Sequence, residues 1–245
     1  MKALIITVAG ESKRFRQTIG FEALKCIYTP SDYSKTILAY QISISDAFDK
    51  IIIVGGYKFH ELKEFIYSNY KDDRIELVYN DKYNTFGSAY SLLIGIKHLK
   101  HRKFSEIIFC EGDLYFDKQT FQSIVNIKNN VVTTNLELIE AKRSVAFYSR
   151  INNSLKYIYD TKHSVLEIKE PFTGIFNSGQ VWKFVDQKKL NSVINELNPT
   201  QIKGTNLEII QNYFLIDTKY AIIRFNDWIN CNTIMDYKIF KTKLF

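Results

Sequence analysis

The chain has 245 residues, of which 46% are hydrophobic and 24% are charged, an ordinary globular mix that provides a core without disulfide bonds. Its net charge of +7 favours an acidic partner such as a nucleotide, but the lysines and arginines form no long basic block, so nucleic acid is not the expected partner. Three scattered cysteines and the absence of an apolar run near the ~20 residues of a membrane helix exclude a disulfide framework and membrane insertion, and they fit a cytoplasmic protein.

Strand and helix patterns alternate in the first half of the chain. Apolar runs predict strands at residues 3–8, 50–55, 75–79 and 106–110. Between them, apolar residues at helical spacing predict helices at 57–70 and 88–99. This alternation favours a parallel sheet that is covered on both faces by helices.

The second half has shorter elements, joined by polar turns. The predicted strands are 131–136, 143–148, 155–159, 165–168 and 220–225, and the predicted helices are 179–197, 206–216 and 234–240. We therefore expect an α/β fold with a Rossmann-like, mostly parallel twisted sheet flanked by helices and an antiparallel insertion at its edge. Since no linker or internal repeat is visible, we expect a single domain over residues 1–245, with a first half at 1–125 and a second at 126–245.

The first strand runs into a turn with the groups that a polyphosphate requires. Gly10 lets the backbone approach a ligand closely, and Ser12, Lys13 and Arg14 follow it. Ligands of open α/β sheets bind beyond the carboxyl ends of the strands. The pattern therefore indicates a polyphosphate site, although a solvated strand-to-helix loop has the same appearance.

The fourth predicted strand ends in two carboxylates around a glycine, Glu111-Gly112-Asp113. Neighbouring carboxylates repel each other unless a cation lies between them. Mg²⁺ often uses one or two protein carboxylates together with substrate phosphates. We therefore predict Asp113 as a magnesium ligand with Glu111 in support; an ordinary polar turn is the alternative.

A third segment, residues 80–91, places a polar loop before a predicted helix. Gly87 permits a flat group to lie against the backbone, and Ser88 has a side chain suited to cap the helix. A simple capped helix would have the same sequence.

Several other nucleotide and hydrolase motifs are missing. The chain has no GxxxxGK[ST] loop and no GxGxxG after its first strand, which excludes a P-loop NTPase and disfavours a dinucleotide fold. The four histidines show no metal-ligand spacing, and no GxSxG turn supports a serine hydrolase.

Taken in order, these segments resemble the nucleotidyltransferase family with the sugar-nucleotide pyrophosphorylase fold. The resemblance is carried by Val8-Ala9-Gly10-Glu11-Ser12-Lys13-Arg14-Phe15, by Lys25, by Gly87-Ser88-Ala89-Tyr90-Ser91 and by Gly112-Asp113. The proline that usually precedes the lysine is absent. The resemblance implies a GT-A-like nucleotidyltransferase fold and extends from Met1 to about Tyr237.

Within that family the chain is most similar to cytidylyltransferases of the phosphocholine type. The similarity lies in Asn80-Asp81-Lys82-Tyr83, in Tyr90-Ser91-Leu92 and in Ser178-Gly179 ahead of Trp182. One departure concerns the family's second metal-binding acid, which falls at Asn232. Asp227 could replace it if the last strand were shifted.

The resemblance implies transfer of a nucleoside monophosphate, from CTP, to a phosphorylated small molecule with release of pyrophosphate and with Mg²⁺ as cofactor. The acceptor would be phosphocholine-like, another phospho-alcohol or a sugar phosphate, which would suit cell-envelope or capsule biosynthesis. The implied nucleotide-binding half is 1–125 and the acceptor-binding half is 126–245. The implied site residues are Arg14, Lys25 and Asp113 for catalysis; Ala9, Gly10, Glu11, Ser12, Lys13, Asn80, Gly87 and Ser88 for the nucleotide; Asn177, Ser178, Gln180, Trp182 and Trp228 for the acceptor; and Asp113 with Asn232 for the metal.

Two other functions stay open on the sequence. A glycosyltransferase would place carboxylates at the same strand end, but it would need Asp-x-Asp where this chain has Glu111-Gly112-Asp113. A catalytically degenerate nucleotide-binding protein would explain Asn232 in place of an acid. The sequence also leaves a homo-oligomer open.

Overall fold

The computed structural model describes residues 1–30, 32–159 and 164–244. The strands in this part of the chain are β1 (Lys2–Val8), β2 (Lys50–Gly55), β3 (Ile75–Tyr79), β4 (Glu106–Glu111), β5 (Leu114–Phe116), β6 (Asn130–Thr134), β7 (Ala146–Ser149), β8 (Leu155–Ile158), β9 (Gly174–Phe184), β10 (Tyr220–Arg224) and β11 (Trp228–Asn230). The helices are α1 (Lys13–Ile19), α2 (Ile37–Ser43), α3 (Phe59–Asn69), α4 (Ser88–His98), α5 (Lys118–Asn126), α6 (Gln187–Glu196), α7 (Pro199–Lys203), α8 (Leu207–Ile216) and α9 (Ile234–Thr242).

The main sheet has the strand order β10-β6-β9-β4-β1-β2-β3. Strands β1 to β4 are parallel, and β9 runs antiparallel between β4 and β6. The hairpin of β7 and β8 attaches antiparallel to the first residues of β9. The expected α/β class, with a mostly parallel sheet and helices on its faces, is confirmed.

Alternating side chains of the central strands bury two apolar layers. In β1, Ala3 and Ile5 face α4, α6 and α8, while Leu4 and Ile6 face α2, α3 and α5. This period of two is the geometry of an extended strand. Since both faces are covered, β1 reads as a continuous apolar run rather than as an alternating one.

The order in which strands join the sheet changes side at β1. From β1 the chain passes to β2 and β3 on one side, and then crosses to β4 on the other. The carboxyl ends of β1 and β4 are therefore adjacent, with Thr7 opposite Glu111. A Cβ atom on Gly112 would lie 2.1 Å from Val8 Cγ1, so this glycine allows the two strand ends to meet. Such a switch point is where ligands of open α/β sheets bind.

The helix predicted at 179–197 is partly wrong. Residues 179–184 continue β9, and the helix begins only at Gln187, after Asp186, whose side chain accepts a hydrogen bond from the Lys189 amide. The strand is hard to predict at Lys183, because a lysine normally indicates an exposed position. Here its ammonium is fully buried against Glu106 and the carbonyl oxygens at the end of α5.

The strand predicted at 165–168 is also wrong. These residues have no regular secondary structure, and Val165 is 67% exposed. A strand of this composition needs a buried face, and none is available here. In the described part of the chain, no helix has the length and apolarity that would let it cross a membrane.

Candidate active site

Four connected cavities surround the carboxyl ends of β1 and β4. The glycine cavity, of about 340 Å³, lies between Ala9-Gly10 and Gly87-Ser88. The cation cavity, of about 270 Å³, adjoins it at Lys25 and Asp113. A connecting cavity of about 350 Å³ leads from Ser88 and Asp113 to the amide cavity, of about 520 Å³, which is lined by the side chains of Asn177, Gln180, Trp228, Asn230 and Asn232 among others.

The three residues predicted for catalysis meet in the cation cavity. Lys25 Nζ lies 2.7 Å from Asp113 Oδ2 and 3.5 Å from Asn232 Oδ1. Arg14 Nη2 donates to the same Asn232 oxygen at 2.9 Å. Residues 14, 25, 113 and 232 therefore form one hydrogen-bonded group, although they are far apart in the chain.

An aromatic cluster holds α1 in position. Phe15 is buried, with its ring centroid 5.1 Å from that of Tyr28 and 6.3 Å from that of Tyr237 in α9. Ser12 turns the chain into α1 with a left-handed backbone, φ 55°, a conformation that L-residues rarely adopt and that clusters at functional sites. Its hydroxyl accepts a hydrogen bond from the Lys25 amide at 3.4 Å, which ties the two cationic turns together.

Lys13 and Glu11 lie at the rim of the cation cavity. They pair with each other at 2.8 Å, and the Lys13 side chain is 69% exposed. An ion pair this exposed is worth little to stability. Lys13 is therefore available to a ligand that approaches from solvent.

Glu111 lies beside Asp113 at the base of the glycine and connecting cavities. Burial, together with the negative charge of Asp113, raises the pKa of Glu111 to about 7. Asn206 Nδ2 donates to Glu111 Oε1 at 2.6 Å, which favours the charged form and opposes that shift.

Asp113 has the donor atoms for a magnesium ligand. Its Oδ1 is buried and has no hydrogen-bond partner among the residues that the structure describes. Within residues 1–30, 32–159 and 164–244, however, no three His, Cys, Asp or Glu side chains cluster as a metal site. Asp227 does not join Asp113, because it borders the amide cavity and pairs with Lys243 at 2.9 Å. A cation at Asp113 would thus need phosphate oxygens to complete its coordination.

The two glycines of the glycine cavity have different roles. A Cβ atom on Gly10 would meet nothing within 4 Å, which leaves room for a ligand beside the backbone. A Cβ atom on Gly87 would lie 2.1 Å from the carbonyl oxygen of Gly204. The absence of a side chain at Gly87 therefore serves the packing of the α7–α8 connection, while Gly87 also lines the glycine cavity and its predicted contact with a nucleotide stays a prediction.

Ser88 and Asn80 line the glycine cavity, but their side chains form hydrogen bonds with other residues of the protein. Gly87, not Ser88, is the N-cap residue of α4, so the predicted serine cap is wrong. The Ser88 hydroxyl instead accepts a hydrogen bond from the Asn206 amide at 2.9 Å. Asn80 donates to Ser91 Oγ and accepts from the Lys82 amide, both at 2.8 Å.

Only three of the five residues predicted to bind an acceptor line the amide cavity. Asn177, Gln180 and Trp228 line the amide cavity. Gln180 sits in a bulge of β9 with φ 54°, and bulges next to active sites re-aim side chains. Ser178 is fully buried, and its hydroxyl accepts from the Gln180 amide at 3.1 Å.

Trp182 is in the core, as a strand residue rather than a helical one. Its ring stacks on Phe109 with centroids 5.3 Å apart and planes at 10°. Its indole N–H donates to Tyr157 Oη at 2.7 Å. Trp182 only borders the connecting cavity, with 1% of its surface exposed.

Sequence reasoning missed several residues of the cavities. Tyr83 and Phe86 line the glycine cavity, and Arg143, Asn206 and Asn230 line the connecting cavity. Asn206 precedes α8 like a cap, but its side chain makes no capping hydrogen bond. Nothing in the linear sequence connects it to Glu111, 95 residues away.

Three solved structures share the fold over almost the whole chain. The inositol-1-phosphate CTP transferase from T. maritima is 16% identical, with a TM-score of 0.71 and coverage of 100% of this chain and 96% of that chain. The CTP:phosphocholine cytidylyltransferase from Streptococcus pneumoniae is 15% identical, with a TM-score of 0.68 and coverage of 100% and 99%. HddC from Yersinia pseudotuberculosis, complexed with GMP-PN, is 16% identical, with a TM-score of 0.65 and full coverage of both chains.

At these identities the similarity concerns the fold, and the chain has the fold of nucleotidyltransferases. Residues 21–244 match the family model described as "Domain of unknown function (DUF6564)". No curated protein matches the sequence.

Proposed function

The chain belongs to the DUF6564 family, and we propose that it is a nucleotidyltransferase that moves a nucleoside monophosphate from a nucleoside triphosphate to a phosphorylated small molecule, releasing pyrophosphate. The supporting observation is the meeting of Arg14, Lys25 and Asp113 at the switch point of the sheet. Ligands of open α/β sheets bind at this edge, beyond the carboxyl ends of the strands.

The reaction needs no general base. A phosphate monoester, with a second pKa near 6, is mostly dianionic at neutral pH. One of its oxygens forms the new bond to the α-phosphorus, while the bond from that phosphorus to the bridging oxygen of the β-phosphate breaks. The electron pair of the broken bond leaves with pyrophosphate. Catalysis then consists of alignment and of charge neutralisation on phosphate oxygens.

The chain's own cations are placed for both tasks. Arg14, at the rim of the cation cavity, holds the β- and γ-phosphates that leave, and Lys13 assists from solvent. Lys25 borders both the glycine and the cation cavity, so it bridges the α-phosphate and the attacking phosphate. A cation between two anions removes the repulsion that opposes their approach.

Asp113 would hold Mg²⁺ together with phosphate oxygens, with Asn232 as a neutral second ligand and Glu111 nearby. Bound there, Mg²⁺ neutralises charge on the phosphate oxygens. Lys25 and Arg14, which bond to Asp113 and Asn232 in the protein alone, turn to the phosphates.

The glycine cavity takes the base and ribose, with Gly10 on one side and the aromatic rings of Tyr83 and Phe86 on another. We propose CTP as the donor. The sequence resemblance supports CTP, and two of the three solved structures described above are named for CTP-dependent transfer.

The amide cavity takes the acceptor, which is a phosphocholine-like compound, another phospho-alcohol or a sugar phosphate. Cation–π binding of choline needs free aromatic faces, but the Trp182 ring is stacked on Phe109 and nearly unexposed. Trp228 is partly exposed, with its indole N–H fixed to the Gly179 carbonyl at 2.8 Å. Because amides, hydroxyls and charged side chains of both signs line the cavity beside this ring, a hydroxylated phospho-alcohol or sugar phosphate fits better than a quaternary ammonium.

A second candidate function is nucleotide binding without turnover. The neutral Asn232 supports it, since beside Asp113 and Lys25 it offers a metal an amide oxygen where a carboxylate would bind the metal more strongly. This candidate predicts tight nucleotide binding by calorimetry with no product from any phosphorylated acceptor.

The deciding experiment measures pyrophosphate release from each of the four nucleoside triphosphates with phosphocholine, glycerol phosphate and sugar 1-phosphates, in the presence of Mg²⁺. The proposal expects release that depends on both substrates. Binding without release would favour the second candidate. Transfer from a nucleotide-sugar without pyrophosphate would instead identify a glycosyltransferase.

A further inference from the structure

We propose that Asn232 is a positioning residue for Arg14, and that this neutral amide keeps the free cation cavity from taking a divalent cation until a triphosphate binds. The part of the inference that concerns the triphosphate rests on the proposed function. The part that concerns metal binding by the protein alone does not. It concerns one oxygen atom, Asn232 Oδ1, and the groups that compete for it.

Two cations share that oxygen. Arg14 Nη2 donates to Asn232 Oδ1 at 2.9 Å, and Lys25 Nζ lies 3.5 Å from it. Arg14 is otherwise an exposed side chain on the first turn of α1. An exposed arginine loses considerable rotamer freedom when it is fixed. The amide therefore preselects the position in which the guanidinium points into the cation cavity.

The backbone of Asn232 is itself firmly held. Its amide and that of Thr233 both donate to Asp236 Oδ2, at 3.0 and 2.8 Å, in the capping box of α9. The preceding amide, of Cys231, donates to the carbonyl oxygen of Asp113 at 2.8 Å. The backbones of Asn232 and Asp113 are thus fixed against each other, which keeps the two side chains beside the same cations.

Charge explains why this arrangement excludes a free divalent cation. Asp113 supplies one negative charge, and Lys25 already neutralises it at 2.7 Å. A hydrated Mg²⁺ would displace that ammonium in exchange for one carboxylate and one amide, while Arg14 remains close by. Mg²⁺ gives up water reluctantly and usually binds through one or two carboxylates with substrate phosphates.

A triphosphate reverses the balance. It brings several negative charges that attract Arg14 and Lys25 away from Asn232 and Asp113. The released oxygens and the phosphates together then offer the divalent cation a complete set of oxygen ligands. Metal and nucleotide are therefore expected to bind together, each raising the affinity of the other, as linkage requires.

The first test is a titration of the full chain with Mn²⁺ alone, followed by the electron paramagnetic resonance signal of free Mn²⁺. Wild type is expected to bind weakly, and Asn232→Asp at least about tenfold more tightly, because a second fixed carboxylate faces Asp113. Asn152→Asp is the matched control. It adds the same charge at an exposed turn residue away from the four cavities, where the side-chain oxygen accepts from the Ser154 amide at 3.0 Å, and it is expected to bind like wild type.

Equal Mn²⁺ affinity in wild type and Asn232→Asp would overturn the inference, and so would equal gains from Asn152→Asp and Asn232→Asp. These outcomes do not depend on turnover or on the identity of either substrate. A protein that fails in every pyrophosphate assay would refute the proposed function, but it would leave this comparison intact.

The second test concerns the positioning of Arg14. Asn232→Ala is expected to weaken CTP binding about tenfold, because Arg14 is no longer held in place beforehand and loses its rotamer freedom on binding, with little change for CMP, which lacks the β- and γ-phosphates. Asn232→Asp keeps an acceptor for Arg14 and is expected to retain CTP binding when Mg²⁺ is present. Equal losses for CTP and CMP in Asn232→Ala would indicate a merely structural role and contradict the inference.

Discussion

The glycine and cation cavities differ from the amide cavity in how their walls are built. The first two are formed by short turns at the ends of β1 and β4, which the sheet places side by side. The amide cavity is formed by a bulge in β9, by β11 and by the start of α9, which approach from distant parts of the chain. Groups fixed by neighbouring strand ends come with the fold, whereas groups fixed by bulges and loops depend on tertiary detail.

The two regions also differ in charge. Cations and carboxylates dominate the cation cavity, where Arg14, Lys25 and Asp113 meet. In the amide cavity, the neutral amides of Asn177, Gln180 and Asn230 lie among several charged side chains of both signs. The first region is suited to bind and align phosphates, and the second to recognise the remainder of an acceptor. Each prediction below tests one side of this division.

The largest effect is expected for Lys25→Ala. Removing a cation that bridges two phosphates is expected to lower kcat for pyrophosphate release by about 100- to 1,000-fold, while the circular dichroism spectrum stays unchanged. Lys169→Ala, at a side chain that is 79% exposed, is the control and should match wild type. Near-normal turnover in Lys25→Ala would remove the cation cavity from the catalytic scheme.

The next largest effect is a difference in stability between substitutions at the two glycines of the glycine cavity. Gly87→Ala forces a methyl group against the Gly204 carbonyl oxygen, which belongs to the backbone and cannot swing aside. The free energy of unfolding in urea is expected to fall by about 1–3 kcal/mol. Gly10→Ala has open space and should change stability by less than about 0.5 kcal/mol, yet weaken CTP binding in calorimetry. The reverse pattern would show that the ligand lies against Gly87 instead.

A smaller effect is expected for Gln180→Gly in the amide cavity. Glycine accepts the left-handed backbone at φ 54°, so a relief of about 1 kcal/mol offsets the lost packing and leaves stability nearly unchanged. The KM for the acceptor found in the pyrophosphate screen is expected to rise about tenfold, with the KM for CTP unchanged.

Asn177→Ala provides the contrast to Gln180→Gly. Asn177 Nδ2 donates to the carbonyl oxygens of Glu137 and Leu138, at 3.2 and 3.3 Å. Its loss is expected to lower stability by about 1–3 kcal/mol. If Gln180→Gly left the acceptor KM unchanged, the bulge would have only a structural role.

The smallest effect is expected at the outer edge of the sheet, away from every cavity. Partial burial raises the pKa of Glu76, but hydrogen bonds from Arg102 and Lys50 outweigh it and lower the pKa to about 2. A carboxyl with a lowered pKa stabilises the fold above its unfolded-state pKa, and this contribution is lost as the pH falls from the usual glutamate range to about 2. Glu76→Gln is expected to lose about 1–2 kcal/mol at pH 7 and correspondingly less at pH 3.

The check is urea denaturation of wild type and Glu76→Gln at both pH values. A difference between the two proteins that does not shrink with acid would show that Glu76 stabilises by packing alone. Turnover at pH 7 is expected to stay the same in both proteins.

The sequence predicted the region around β1 to β4 well, because apolar periodicity there reflects burial on both faces of a parallel sheet. The approach of Arg14 and Asp113 could be anticipated for the same reason, since parallel strands end at one edge, whereas Lys25 was assigned to the site by the family resemblance. The carboxyl-terminal part of β9 could not be predicted, because the buried Lys183 pairs with Glu106 and with carbonyl oxygens that no local pattern reveals.

The amide cavity was anticipated only in part. Trp182 was placed on a helix, whereas it stacks on Phe109 in the core. Asn206 was not recognised at all, since its contact with Glu111 depends on how the α7–α8 connection docks on Gly87 and Ser88. Contacts of this kind are set by tertiary packing, which one sequence does not display.

The most direct test of the central claim is a crystal structure of the protein with a non-hydrolysable nucleoside triphosphate and Mg²⁺. The account predicts the base in the glycine cavity and the triphosphate in the cation cavity, with Arg14 on the outer phosphates and Lys25 and the metal-bearing Asp113 at the α-phosphate. A triphosphate bound away from these three side chains, with the Lys25–Asp113 ion pair still intact, would contradict it.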